Sequence, residues 1–164
     1  MRHTICVLVE NHFGVLARVS SLFSARGYNI DSLCVGETEN PSVSRMTVVV
    51  QGDERVLAQI EKQLKKLVEV IDITDLTQDS HVARELVMVK IAADGSKRSE
   101  IVELANIFRA KVCDMGVDAI TIEVTGSAEK VTAFIDMMRP FGIKELVRTG
   151  TIAIARSPKP AANS

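Results

Sequence analysis

The sequence has no tryptophan, one tyrosine and five phenylalanines in 164 residues. That scarcity bears first on nucleic-acid recognition, because RNA-binding sheets stack bases on strand aromatics. Phe13 falls in a turn, Phe23, Phe108 and Phe134 on helix-spaced faces and Phe141 in a loop, so no strand-like segment carries an aromatic pair. Charge of one sign is not in excess either: 20 Lys and Arg stand against 21 Asp and Glu, a formal net charge of -1. Neither nucleic acid nor an anionic membrane surface is therefore an expected partner. No apolar run approaches the roughly 20 residues that a membrane span needs. The first residues show no charged stretch leading into an apolar one, so no secretory leader is expected and the reading is a cytoplasmic protein.

Cysteine is sparse and odd in number. Cys6, Cys34 and Cys113 each sit in a strand-like stretch, which predicts free, buried thiols in a reducing compartment rather than a disulfide framework. His3, His12 and His81 are scattered, with no partner at ligand spacing, so no metal site is expected. The requirements of catalysis are also unmet: Cys6, Cys113 and Ser20-Ser21 have no base at hand, and Asp72 and Asp75 read as a solvated strand end. No independent catalysis is expected.

What is present is a repeated order of elements. Thr4–Val9 is an apolar, β-branched strand, and Val15, Leu16, Val19, Leu22 and Phe23 then recur at helical spacing. Gly27 caps that helix. Tyr28–Val35 and Ser44–Val50 form a hairpin around Asn40-Pro41. Asp53 caps a second helix with Val56, Ile60, Leu64 and Leu67 inward, and Val68–Ile73 is the fourth strand. The order β-α-β-β-α-β then recurs from Glu85 to Arg156, the last strand running from Glu145 with a bend near Gly150. The predicted fold is α+β, two ferredoxin-like βαββαβ units: 1–76, a linker at 77–84, 85–156, and a disordered tail at 157–164. Each would have one sheet face and its edges open, which invites pairing, and at least a dimer is expected.

The stretch Glu10-Asn11-His12-Phe13-Gly14-Val15-Leu16 joins the first strand to the first helix. Free amides at such a helix start can hold a carboxylate. Taken singly, Gly14 could be a turn glycine, Asn11 a turn cap and Asn29 part of a helix end. Together, Asn11-x-x-Gly14-Val15-Leu16 and Gly27-Tyr28-Asn29-Ile30 resemble the ACT domain, an amino-acid-binding module. Longer segments resemble the regulatory (small) subunits of acetohydroxyacid synthase, also called acetolactate synthase. These are Gly14-Val15-Leu16-x-Arg18-Val19, Leu22 to Leu33, Ser44-Arg45-Met46-Thr47, Gln59 to Val70 and Arg84-Glu85-Leu86.

The resemblance implies a first unit that is an ACT domain, pairing with a second copy as a homodimer. It implies a catalytic large subunit as partner, carrying thiamine diphosphate, Mg²⁺ and FAD, with no cofactor on this chain. It further implies activation of that subunit and feedback inhibition by valine in branched-chain amino-acid synthesis. The valine site would take Asn11, Gly14, Val15 and Leu16 from one chain and Asn29 and Ile30 from the other. Leu33 would join the apolar wall, and the amide oxygens of Asn11 and Asn29 would meet the ammonium.

Overall fold

The computed structural model describes residues 1–158, so residues 159–164 of the expected tail lie outside it. The chain divides into two compact units, Met1–Val82 joined by the segment from Thr151, and Ala83–Gly150.

In the first unit the order is β1 (Arg2–Glu10), α1 (Val15–Ala25), β2 (Ile30–Glu37), β3 (Val43–Gln51), α2 (Glu54–Leu64) and β4 (Val70–Asp75). The strands form an antiparallel sheet in the order β2-β3-β1-β4, so β2 and β4 are its edges. Alternation along β1 sends Ile5, Val7 and Val9 to one face. There they bury against Val15, Val19 and Phe23 of α1 and Ile60 and Leu64 of α2. Leu16 lies off that helical stripe and is exposed. The Asp53 carboxylate accepts the Val56 amide at 2.9 Å and caps α2. α1 ends in a Schellman turn: Tyr28 N donates to Phe23 O and Gly27 N to Ser24 O, both at 3.2 Å, with Gly27 at φ 68°.

A bulge shapes β2. Ile30 faces Val50 and Ser32 faces Val49, so Asp31 is an extra residue. The change of parity puts Ile30 and Leu33 on the same, helix-facing side, and both pack against the core.

The second unit holds β5 (His81–Ala92), whose first two residues belong to the first unit, then α3 (Arg98–Ile107), β6 (Lys111–Met115), β7 (Ala119–Gly126), α4 (Ala128–Met138) and β8 (Ile143–Arg148). Its strand order, β6-β7-β5-β8, has the same pattern as the first sheet. Val87, Val89, Ile91, Ile120, Ile122 and Val124 bury against Ile101, Ala105, Val131, Phe134 and Met138. Phe108 meets Phe134 edge to face at 5.4 Å.

Five expectations are corrected. The predicted last strand, Glu145–Arg156, is two strands, because Gly150 at φ 84° turns the chain between β8 and β9 (Ile152–Ala155). Consequently the second unit closes at Gly150 instead of Arg156, and Thr151 onward belongs to the first. The linker expected at 77–84 shortens: β5 starts at His81, since β9 gives its polar beginning a partner, with Arg156 N donating to Ser80 O at 2.9 Å. The far face of the first sheet is not open along its centre: Cys6, Thr47 and Val49 are buried there. Among the thiols only Cys6 is buried; Cys113 lies exposed on β6, which among the described residues pairs with β7 at one end of the sheet.

Candidate functional site

Glu10 ends β1 opposite Val43, and the chain turns through Asn11–Gly14 into α1. Asn11 fixes the turn. Its backbone amide donates to Ser42 O at 2.7 Å, and its side-chain Nδ2 donates to Pro41 O at 2.9 Å and to Glu37 Oε1 at 3.1 Å. Asn11 thus staples the end of β1 to the β2–β3 turn, with its Oδ1 still on the acceptor side of the amide. Gly14 has φ 87° and ψ -10°, the left-handed region, and no side chain caps α1. A Cβ on Gly14 would meet only Arg18 Nη2, at 4.0 Å, so backbone conformation and not crowding calls for glycine. Val15 N donates to His12 O at 3.4 Å, and the next first-turn amides of α1 face an end without a side-chain cap, where a carboxylate can dock.

Charged side chains surround this end. Arg18 pairs with Glu69 at 2.7 Å, and Glu69 O accepts the Glu10 amide at 2.9 Å, tying the turn to the start of β4. His12 Nε2 lies 2.9 Å from Glu10 Oε2. That hydrogen bond, with help from the Phe13 carbonyl, raises the His12 pKa above its ordinary value. Phe13 and Leu16 stand exposed beside the turn.

The other predicted half lies elsewhere. Asn29 Nδ2 donates to Asp31 Oδ1 at 3.2 Å, and Gln51 Nε2 donates to Asp31 Oδ2 at 2.9 Å. Ile30 faces Val50, which faces His3 near the beginning of β1. From His3 to the Glu10 end of that strand is roughly 23 Å at strand rise. Within one chain, Asn11, Gly14, Val15 and Leu16 are thus together at one end of the sheet, and Asn29 and Ile30 are together at the other. Leu33 sits between, facing the helices. Val15 is buried in the core, and its backbone amide already donates to His12 O at 3.4 Å.

Four participants, Glu37, Pro41, Arg18 and Glu69, are absent from the predicted site. Glu37 and Pro41 hold Asn11 from the far side of a hairpin, and Arg18 reaches Glu69 across the fold. Only Arg18, one helical turn after Gly14, carried a local signal. Among the described residues, no three His, Cys, Asp or Glu side chains are placed to hold a metal ion.

Comparison with known proteins bears on both units. Residues 5–72 match the family described as AHAS small subunit-like ACT domain, and residues 84–157 match the family described as small subunit of acetolactate synthase. A probable acetolactate synthase small subunit of Archaeoglobus fulgidus is 56% identical over 97% of this chain and 99% of its own length. The acetolactate synthase small subunit of Mycolicibacterium smegmatis is 49% identical over 96% of this chain and 92% of its own. The crystal structure of the acetolactate synthase small subunit from Thermotoga maritima superposes with a TM-score of 0.91 at 39% identity, covering 97% of this chain and 99% of that one. The chain belongs to the acetolactate synthase small-subunit family.

Proposed function

We propose that this protein is a non-catalytic regulatory subunit of acetolactate synthase. It binds the catalytic subunit, raises its activity and makes it sensitive to valine. Thiamine diphosphate, Mg²⁺ and FAD belong to the catalytic partner. Family membership supports the partner, and one geometric observation carries the valine reading: the two halves of the predicted site lie at opposite ends of one sheet whose edge, β2, pairs on one side only. If two β2 edges pair antiparallel about a two-fold axis, the Ile30 end of one strand lies beside the Glu37 end of the other. Glu37 accepts from Asn11, so Asn29 and Ile30 of one protomer then stand by Asn11 and Gly14 of its partner. The sheet's free edge is satisfied by the same act that completes two sites.

In this arrangement the first-turn amides of α1 take the valine carboxylate, the Asn11 and Asn29 oxygens take the ammonium, and Leu16, Ile30 and Leu33 offer apolar contact. Valine binding is then linked to how the dimer is set, which is the two-state element that feedback requires. Two measurements test the reading. Adding the protein to a catalytic subunit should raise acetolactate formation, and valine should reverse the gain. In calorimetry valine should bind with a negative heat-capacity change. Gly14→Asp should remove that binding, because its carboxylate meets the ligand's own. Undiminished valine binding by Gly14→Asp would sink the site.

A further inference from the structure

The segment Thr151–Arg156 crosses the sheet face of the first unit opposite its helices. Thr151 N donates to Ser32 Oγ at 2.8 Å. Ala153 O accepts from Arg45 Nη2 at 3.1 Å and from Cys6 Sγ at 3.5 Å. Arg45 Nη2 also lies 3.3 Å from Cys6 Sγ, so β1, β3 and the crossing strand meet at one point. Thr151 and Ala153 are themselves almost fully buried, while Ile152 and Ile154 alternate outward. Arg156 N donates to Ser80 O and anchors the far end.

Ser32 follows directly on Asp31, the bulge residue of β2. β2 is an edge strand, laddered on one side and broken in register at that bulge. Such a strand holds its register weakly unless both faces are held. On the helix side Ile30 and Leu33 hold it by packing. The bulge residue Asp31 is itself held by Gln51 Nε2 at 2.9 Å and by Arg2 Nε at 3.9 Å, and on the other side the C-terminal segment adds the Ser32 hydroxyl under the Thr151 amide. From this we infer that the C-terminal strand is a strap that positions the effector strand: Thr151 and Ser32 set the bulge, and the bulge sets where Asn29 and Ile30 stand. The inference rests on the effector reading for its consequence, and on the strap's own hydrogen bonds for its structure.

The test uses the full chain and three variants. Ser32→Ala removes the acceptor, Thr151→Pro removes the donor, and Ser32→Thr keeps a hydroxyl as the rescue. Amide hydrogen exchange over residues 29–35 should quicken about fivefold in the first two, the scale of one lost hydrogen bond. Exchange over β1 residues 5–9 and in the second unit should stay as in the parent. Cys6 alkylation, resolved from Cys34 and Cys113 by peptide mass spectrometry, should quicken in parallel. Valine affinity should fall by a similar factor and return in Ser32→Thr. If Cys6 becomes reactive while exchange over 29–35 keeps the parental rate, the strap only covers the sheet and the positioning role is overturned. Raised exchange with unaltered valine affinity overturns it equally. Valine failing to bind the parent would sink the effector reading alone, and the exchange result would still decide the strap.

Discussion

At the site turn, His12 and Glu10 form an exposed pair whose hydrogen bond raises the histidine pKa. A raised folded-state pKa means the pair stabilises the turn fully below the unfolded-state value, and the contribution is lost as pH rises through the folded one. Protonated His12 also stands two residues from Gly14, adding positive charge at the helix start proposed to take the valine carboxylate. Valine should therefore bind more tightly at pH 6 than at pH 8, about 6.5 being the ordinary histidine midpoint. A proton NMR titration should place the His12 midpoint above that value, and Glu10→Gln should bring it down. A parental midpoint at or below it would remove this account. Gly14 gives a second prediction at the same scale. Gly14→Ala has room for its methyl group but keeps φ near 87°, so it should cost about 1–2 kcal/mol of backbone strain, read by denaturant unfolding.

The helices follow rules that act within a few residues. Asp53 caps α2 through the Val56 amide, and Ser127 caps α4 through the Lys130 amide at 3.3 Å. Asp53→Ala should cost about 1 kcal/mol, and Asp53→Asn much less, because an amide oxygen can still accept from Val56. Equal losses in the two variants, measured by urea unfolding, would mean that charge and not the cap matters here. Such caps, the Gly27 turn and the alternation of Ile120, Ile122 and Val124 were all legible in the sequence for this reason. Strand ends were less so. Val68 and Glu69, expected to open the fourth strand, lie before β4, and Tyr28 and Asn29 precede β2. A strand begins where a partner begins, and the partner is distant in sequence. The candidate site divides the same way: Gly14 and the first-turn amides of α1 can be read locally, whereas the staple from Asn11 to Glu37 and Pro41 exists only once the hairpin is folded.

The whole chain is threaded so that its last strand returns to the unit in which it began. Nothing local announces this. Thr151–Arg156 alternates like any final strand, and Gly150 reads as a bend; that Thr151 meets Ser32, 119 residues earlier, is a property of the assembled unit. The threading makes the two units unequal in independence. Residues 83–150 carry their own contiguous core, from Val87 to Met138. The first unit takes in Met1–Val82 together with the segment from Thr151. A chain ending at Gly150 should still fold but lose the cover over Cys6, Thr47 and Val49 together with the strap's hydrogen bonds, on the order of 3 kcal/mol. For a domain of this size that lowers the melting midpoint of the first unit by roughly 10–20 °C. The second unit should melt as in the full chain, since its core is untouched. Calorimetry on the chain ending at Gly150 separates the cases. A single transition at the parental midpoint would show that the strap adds no stability. A fall confined to one of two transitions would mark the first unit as the one closed by the C-terminal strand. It would also make the edge strand β2 sensitive to residues that lie far along the sequence.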